Sequence, residues 1–205
     1  MILGIGTAHR ACSLALVEGS EVIASTHEII GRGHAERLMP MLADLLDGRR
    51  PDEIVVEVGP GSFTGIRIGV AAARALALAW KVPIHGISSM VLTAARAFAE
   101  GAEPPLAVVL DGGRAEVFTQ SFDSGPAERS EVSAVPAEKF DFAGISSVAG
   151  TGLPLIKLPA GISPGPDGAP NISDIALLKP LARFRMAARP VYVRAPDAKL
   201  PGTPC

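Results

Sequence analysis

The sequence predicts an α/β protein of two related lobes, mixed sheets flanked by helices, with the second lobe reduced. Three observations predict it. A triplet of short apolar strands opens the chain, a strand–glycine loop–helix–strand unit follows, and a strand pair restarts after a proline- and glycine-bearing junction at 101–105. At 205 residues, 48% of them hydrophobic and 20% charged, the chain has ample material for a packed core. The junction sets the expected domains at 1–103 and 104–205.

Strands are expected at 2–5, 11–17 and 22–28, an antiparallel meander at the start of a mixed sheet. Gly31-Arg32-Gly33 ends that pattern, and a helix over 34–47 begins near His34. Its apolar stripe is Leu38, Met41, Leu42, Leu45 and Leu46, at helical spacing. Pro40 inside the stripe predicts a kink or a displaced start. Met39 lies off the stripe and widens the apolar surface; covered, it is core filler, and exposed, it marks a partner site. Strand 54–58, helix 64–80 and strand 84–87 make a right-handed β-α-β unit. Ser88-Ser89 caps another helix, to about Ala99. Strands 106–110 and 116–122 pair around Asp111-Gly112-Gly113. Residues 144–170 are rich in glycine and proline, 172–183 reads as helical, and 191–193 reads as a last strand.

The loop Gly59-Pro60-Gly61-Ser62-Phe63-Thr64-Gly65-Ile66-Arg67-Ile68-Gly69 carries the most information. A glycine-rich turn between strand and helix lets backbone approach a bound group, and a helix start offers unpaired N–H donors. It is not a P-loop: the Gly-x-x-x-x-Gly-Lys spacing is absent, and Ile66 follows Gly65. Ser62 and Thr64 read as turn and N-cap hydroxyls, since the Gly-x-Ser-x-Gly spacing of a nucleophile elbow is also absent. Gly65, Gly69, Ala73 and Ala77, spaced by four, line one helix face. Two readings stay open for that face, close packing on a sheet or contact with a second protein. Arg67 and Arg74 lie two turns apart on one side, as solvated charges or as the rim of a contact surface.

Composition excludes several functions. The formal net charge of −2 gives no overall positive field for nucleic acid. His9, His27, His34 and His85 form no His-x-x-x-His or comparable pair, so no metal ligands are expected. His34 reads as an ordinary polar residue at a helix start. Cys12 reads as a small core residue and Cys205 as incidental, a pattern that suits a reducing compartment. The longest apolar stretch, 68–80, is interrupted by Arg74 and is too short to span a bilayer. With no leader pattern at the N-terminus, a soluble, cytoplasmic protein is expected.

Several segments resemble the bacterial TsaB (YeaZ) family. They are Met1-Ile2-Leu3-Gly4-Ile5-Gly6-Thr7-Ala8, Cys12-Ser13-Leu14-Ala15-Leu16, His34 followed by Leu38 and Pro40, the 59–69 loop-helix, and Pro190-Val191-Tyr192-Val193-Arg194. The likeness is clear to about 122, fades through 123–185 and returns near the end. It implies an actin-like (ASKHA, ribonuclease-H-type) fold of two lobes. It also implies a non-catalytic subunit in the synthesis of threonylcarbamoyladenosine (t6A) in tRNA, one that binds and activates a TsaD-like threonylcarbamoyltransferase. A TsaE-like ATPase subunit joins them, tRNA is met through the complex, and the same surface serves a homodimer of the chain alone. The family's pairing helices match 34–47 and 64–80, which puts His34, Leu38, Met41, Leu42, Leu45, Gly65, Arg67, Gly69, Ala73 and Arg74 at the partner surface. No cofactor is expected beyond a nucleotide at the partner interface, with Gly61, Ser62, Thr64 and Asp111 as candidate contacts. The family usually keeps an aspartate where this chain has Gly6, so a carboxylate needed for ATP chemistry is expected to be missing. Gly112-Gly113-Arg114 also departs from the usual Ala-Arg after Asp111. The alternative is a stand-alone actin-like ATPase or phosphotransferase using Asp111. Protease chemistry gains nothing from these residues.

Overall fold

The computed structural model describes residues 1–194; Cys205 lies outside them. The first sheet has five strands in the order β3-β2-β1-β4-β5. Strands β1 (Ile2–Gly6), β2 (Ala11–Glu18) and β3 (Glu21–Ile29) form the antiparallel meander. Strands β4 (Glu53–Glu57) and β5 (Ile84–Ile87) add to β1 in parallel. The central strands are covered on both faces and are near-continuously apolar, while the edge strand β3 alternates exposed and half-buried residues.

Helices α1 (His34–Leu46) and α2 (Phe63–Trp80) cover one face of this sheet. Leu38, Met41, Leu42 and Leu45 from α1, with Ile66, Val70 and Ala73 from α2, pack on Leu3, Ile5, Leu14, Leu16, Ile54 and Val56. Helix α3 (Ser89–Ala99), capped by Ser88, covers the other face. It is buried almost all round because the second sheet lies on its far side. That sheet runs β11-β10-β6-β7-β8, with β9 also pairing β7. Its members are β6 (Leu106–Gly113), β7 (Glu116–Asp123), β8 (Ala127–Glu128), β9 (Ser133–Pro136), β10 (Ser147–Ala149) and β11 (Ser163–Pro164). Two mixed sheets flanked by helices are thus the architecture, and one apolar core running from Val17 and Val55 through Met90 to Leu110 and Phe122 joins them.

Two expectations need correction, at 172–183 and at 191–193. Residues 172–183 are not one helix but two 3₁₀ helices, Ile172–Leu177 and Leu181–Phe184, because Pro180 interrupts the run with a residue that lacks an N–H. Residues 191–193 form no strand: Val191 N donates to the Val58 carbonyl at 2.9 Å and no ladder continues from it. Helix α1 starts at His34 and continues through Pro40, since Glu36, whose carbonyl loses its donor there, is exposed to water. Helix α2 is, by length and composition alone, long enough to cross a membrane; here it is the crossover helix from β4 to β5, with Gly65, Ile66, Gly69, Val70, Ala73 and Ala77 buried. Cys12 is fully buried, as a core residue.

Candidate functional site

An open cleft of about 1270 Å³ lies between the loop ends of the two sheets. The β1–β2 turn (8–10), the β3–α1 loop with the start of α1, and the β4–α2 loop with the first turn of α2 build one side. Asp111, Gly112, Gly113 and Thr151 of the second sheet and the segment 191–194 build the other.

The glycines of the β4–α2 loop are set by the β1–β2 turn beneath it. A Cβ at Gly61 would overlap the Ala8 carbonyl oxygen, one at Gly65 the Thr7 carbonyl oxygen, and one at Gly69 the Thr7 hydroxyl. Close approach is used at once: Thr7 Oγ1 donates to the Gly65 carbonyl at 2.8 Å, and Ser62 N donates to the Ala8 carbonyl at 2.7 Å. The Ser62 side chain caps α2 by accepting from Gly65 N at 3.3 Å. The four candidate nucleotide contacts, Gly61, Ser62, Thr64 and Asp111, all line the cleft. Asp111 Oδ1 already accepts from Gly113 N at 2.8 Å, and Asp111 N donates to Thr151 Oγ1 at 3.0 Å.

The ten residues expected at the partner surface are placed differently. Leu38, Met41, Leu42 and Leu45 face the sheet and are buried. Gly65, Gly69 and Ala73 face it too, so the small-residue stripe is there for close packing. His34 is buried, with Nε2 3.2 Å from the Ala11 carbonyl. Arg67 Nε donates to the Tyr192 hydroxyl at 2.8 Å, and its guanidinium lies 3.6 Å from the Phe63 ring centre. Arg74 Nε donates to the Ala188 carbonyl at 3.1 Å. Both arginines hold the C-terminal segment against α2. None of the ten is therefore a free apolar contact. What α1 and α2 turn outward is another set: Ala35, Met39, Pro40 and Ala43 beside Glu36 and Asp44 on α1, and Ala71, Ala75, Leu78 and Ala79 beside Arg67 and Arg74 on α2. Met39 is 53% exposed and Leu78 81%.

Sequence reasoning also missed Glu57 and His9. Glu57 is buried at the end of β4; Oε2 accepts from Ala8 N at 3.2 Å and Oε1 from Ser89 Oγ at 2.7 Å. His9 Nε2 lies 3.7 Å from Glu57 Oε1 and has no hydrogen-bond partner. Burial pushes the His9 pKa down, against the pull of Glu57, the Pro60 backbone and Asp111 in the other direction. A Cβ at Gly6 would meet Ser13 Oγ at 2.6 Å and Glu57 Oε2 at 3.1 Å. The space beside position 6 therefore holds a carboxylate after all, delivered from β4. The signal was legible as one charged residue inside the apolar run 54–58. Both its oxygens are spent on local donors, so it fastens the β1–β2 turn to β4 and α3.

Comparison with known proteins places this arrangement. A family model described as TsaD, tRNA N6-adenosine threonylcarbamoyltransferase, matches residues 20–152. The structure of YeaZ from Pseudomonas aeruginosa superposes with a TM-score of 0.77 at 29% identity, over 93% of this chain and 99% of that one. The chain belongs to the TsaB (YeaZ) family. It is 36% identical over 122 residues to the tRNA threonylcarbamoyladenosine biosynthesis protein TsaB of Escherichia coli (strain K12), 57% of this chain and 52% of that protein. TsaB of Bacillus subtilis (strain 168) is 36% identical over 125 residues, 58% of this chain and 53% of its own length. The match thus spans about half the length of these curated relatives. An uncharacterized protein of Mycobacterium bovis is 31% identical over 212 residues, covering 97% of this chain and 93% of that protein. The fold is shared more widely: EutJ of Carboxydothermus hydrogenoformans superposes with a TM-score of 0.51 at 12% identity, over 86% of this chain and 89% of that one. The TsaB fold here is accordingly the actin-like type that the sequence resemblance implied.

Proposed function

We propose that this chain is a non-catalytic subunit of the machinery that makes threonylcarbamoyladenosine in tRNA, and that it binds and activates a TsaD-like threonylcarbamoyltransferase subunit. The observation that carries the reading is the outward face of α1 and α2, where Met39 and Leu78 stand exposed among alanines, with Glu36 and Asp44 flanking the α1 part and Arg74 but no acidic side chain on the α2 part. Such a strip on a folded domain marks an interaction site, and two helices can supply much of one partner's share, about 800 Å², of an ordinary interface. The names of the E. coli and B. subtilis relatives support the pathway. The absence of catalysis is supported by Glu57, both of whose carboxylate oxygens are engaged by the Ala8 amide and the Ser89 hydroxyl, and by Asp111, one of whose oxygens accepts from the Gly113 amide. In this reading residues 1–103 form the partner-binding lobe and 104–205 the smaller one. A TsaE-like ATPase and tRNA are met through the complex in the cytoplasm, and the same strip pairs two copies when the partner is missing.

The test uses Met39→Asp and Leu78→Asp, both at exposed positions. Each should keep the melting temperature and lose co-purification with a TsaD-like subunit, and reconstituted tRNA modification should fall with it. Capture that survives both changes would mean the surface is wrong. Magnesium-dependent ATP turnover by the chain alone, lost in Asp111→Ala, would establish the enzyme reading instead.

A further inference from the structure

We propose that the flank of α2 carrying Arg67, Arg74 and Lys81 is a contact surface for an RNA phosphate backbone. Charge is sorted unevenly along this chain. Residues 58–99 and 175–194 hold nine of its 19 lysines and arginines and none of its 21 aspartates and glutamates. The net charge of −2 therefore conceals a basic part on an otherwise acidic molecule. The fold brings pieces of the two stretches together. Arg67, Arg74 and Lys81 lie seven residues apart, so they form one line, about 21 Å long, along the helix. The C-terminal segment runs beside that line, held by Arg74 Nε at the Ala188 carbonyl and by Arg67 Nε at the Tyr192 hydroxyl. Arg189, next in the chain to Ala188, is thereby set alongside its middle.

Much of this charge is unspent. Arg67 and Arg74 use Nε on the segment, and their terminal N–H groups carry no bond among the described residues. Lys81 and Arg189 are exposed, and among the described residues neither side chain has an ion-pair or hydrogen-bond partner. Arg50, by contrast, is taken by the Trp80 carbonyl at the end of α2. Of the carboxylates at that end, Glu53 is bonded by Arg185 at 2.6 Å and Asp52 by the N-terminal ammonium at 2.8 Å. Asp47, on the loop that carries Arg50, stays exposed and opposes the set. At the other end Phe63 and Tyr192 are 39% and 40% exposed with their rings 5.0 Å apart. The Arg67 guanidinium lies 3.6 Å from the Phe63 ring centre. Cations in a row match the repeated phosphates of a nucleic-acid strand. Exposed rings among them suit unpaired bases, which an acidic protein face does not supply.

The choice of RNA rests on the tRNA-modification reading above, while the surface itself does not depend on the strip at Met39 and Leu78. The experiment titrates the full chain with an unmodified tRNA transcript by fluorescence anisotropy, at several salt concentrations. Saturable binding that weakens steeply with salt is expected. Lys81→Asn with Arg189→Gln should weaken it at least about tenfold and lower the log–log salt slope by about 2. Asparagine suits position 81, where φ is 56°. Lys139→Gln with Lys157→Gln removes the same charge from exposed positions in the second half of the chain and should change little. Absence of saturable, salt-dependent binding overturns the proposal, as does equal weakening by both pairs. Loss of TsaD-like capture in Lys81→Asn/Arg189→Gln with tRNA affinity intact also overturns it, and gives the flank to an acidic protein face. Capture that persists while tRNA binding falls supports it. So does the same loss of tRNA binding in a chain that captures no TsaD-like subunit, a result that would remove the partner reading alone.

Discussion

The two sheets open with the same device and then part company. Each presents an antiparallel hairpin, β1–β2 or β6–β7, whose turn faces the cleft. In the first sheet the turn is a bed: the glycines of the β4–α2 loop press onto Thr7 and Ala8, and Glu57 ties the turn from behind. In the second sheet the turn at 111–115 is open, with positive φ at Gly113, Arg114 and Ala115 and no atom within 4 Å of a Cβ built at Gly113. The first sheet is followed by long helices, the second by two-residue strands and 3₁₀ turns. The cleft is therefore built on a closely packed first side, and the second side serves as a wall.

The sharpest way to break that contrast is to substitute glycines on both sides. Gly65→Val would drive a side chain into the Thr7 carbonyl, which is backbone and cannot step aside. We expect a loss of roughly 4 kcal/mol or more in denaturant unfolding. Gly113→Ala, in the open turn between β6 and β7, meets nothing within 4 Å and costs only its positive φ of 74°, about 1–2 kcal/mol. Comparable losses at the two positions would show that the sides are equally packed.

The same contrast explains what could be read in the sequence. First-sheet elements matched to within a residue or so because hydrophobic periodicity, glycine punctuation and the Ser88 cap agree with one another there. In the second half, β10 is three residues long and sits in a glycine- and proline-rich stretch, too short for periodicity to register. The run 172–183 carries helical spacing, but 3₁₀ turns share much of that spacing, and Pro180 divides it. Gly61, Ser62, Thr64 and Asp111, singled out from the loop and the turn, do line one cleft. Leu38 and Gly69 were misread because an apolar stripe marks the buried side of a helix, and the outward side shows only as Met39 and Leu78 off the stripe. Arg10, Arg32 and His9 belong to no motif, and only the fold brings them to one cleft.

A second contrast concerns pH. Burial raises Asp174, on the 3₁₀ helix packed against α3, to about 6 despite its 2.5 Å bond from Arg96. Its folded pKa lies above the ordinary 3.8, so the native state holds the proton more tightly, and this group's contribution is lost as pH rises through about 4 to about 6. His9 runs the other way. Its folded pKa is lowered from 6.5 by burial, so its contribution is present above 6.5 and lost as pH falls below it. Asp174→Asn should flatten the pH–stability profile between 4 and 6, by at most about 3 kcal/mol, and His9→Gln should weaken the acid loss. An unchanged profile in both variants would remove titration from the account of either group.

The relocated carboxylate gives a finer test. Gly6→Asp alone puts a side chain against Ser13 Oγ and a second negative charge beside Glu57. Glu57→Ala alone leaves Ala8 N and Ser89 Oγ without their acceptor. Each should cost about 2–3 kcal/mol. Together they should cost less than the sum by about 1–2 kcal/mol, because the alanine makes room for an aspartate that can accept from the same donors. Strict additivity in urea unfolding would mean that positions 6 and 57 do not share one place for a carboxylate.

The smallest effect belongs to the segment that crosses from one sheet to the other. Arg185 bonds Glu53 at 2.6 Å and Met186 bridges Gly86 on the first sheet, and Tyr192 accepts from Arg67 on the α2 that covers it; Arg194 then reaches Glu116 at 2.5 Å on the second sheet. Tyr192→Phe removes one hydrogen bond between exposed groups and keeps the ring stacked 5.0 Å from Phe63, so a loss of about 0.5 kcal/mol is expected. Global unfolding will barely register that change. Amide exchange at Val191, whose N–H bonds the Val58 carbonyl, should speed up in Tyr192→Phe while exchange within β7 stays as it was. Arg194→Ala should do the reverse, loosening β7 near Glu116 and sparing Val191. If both variants loosen both places equally, the segment moves as one strap, and the two sheets are coupled through it more tightly than their separate contacts indicate.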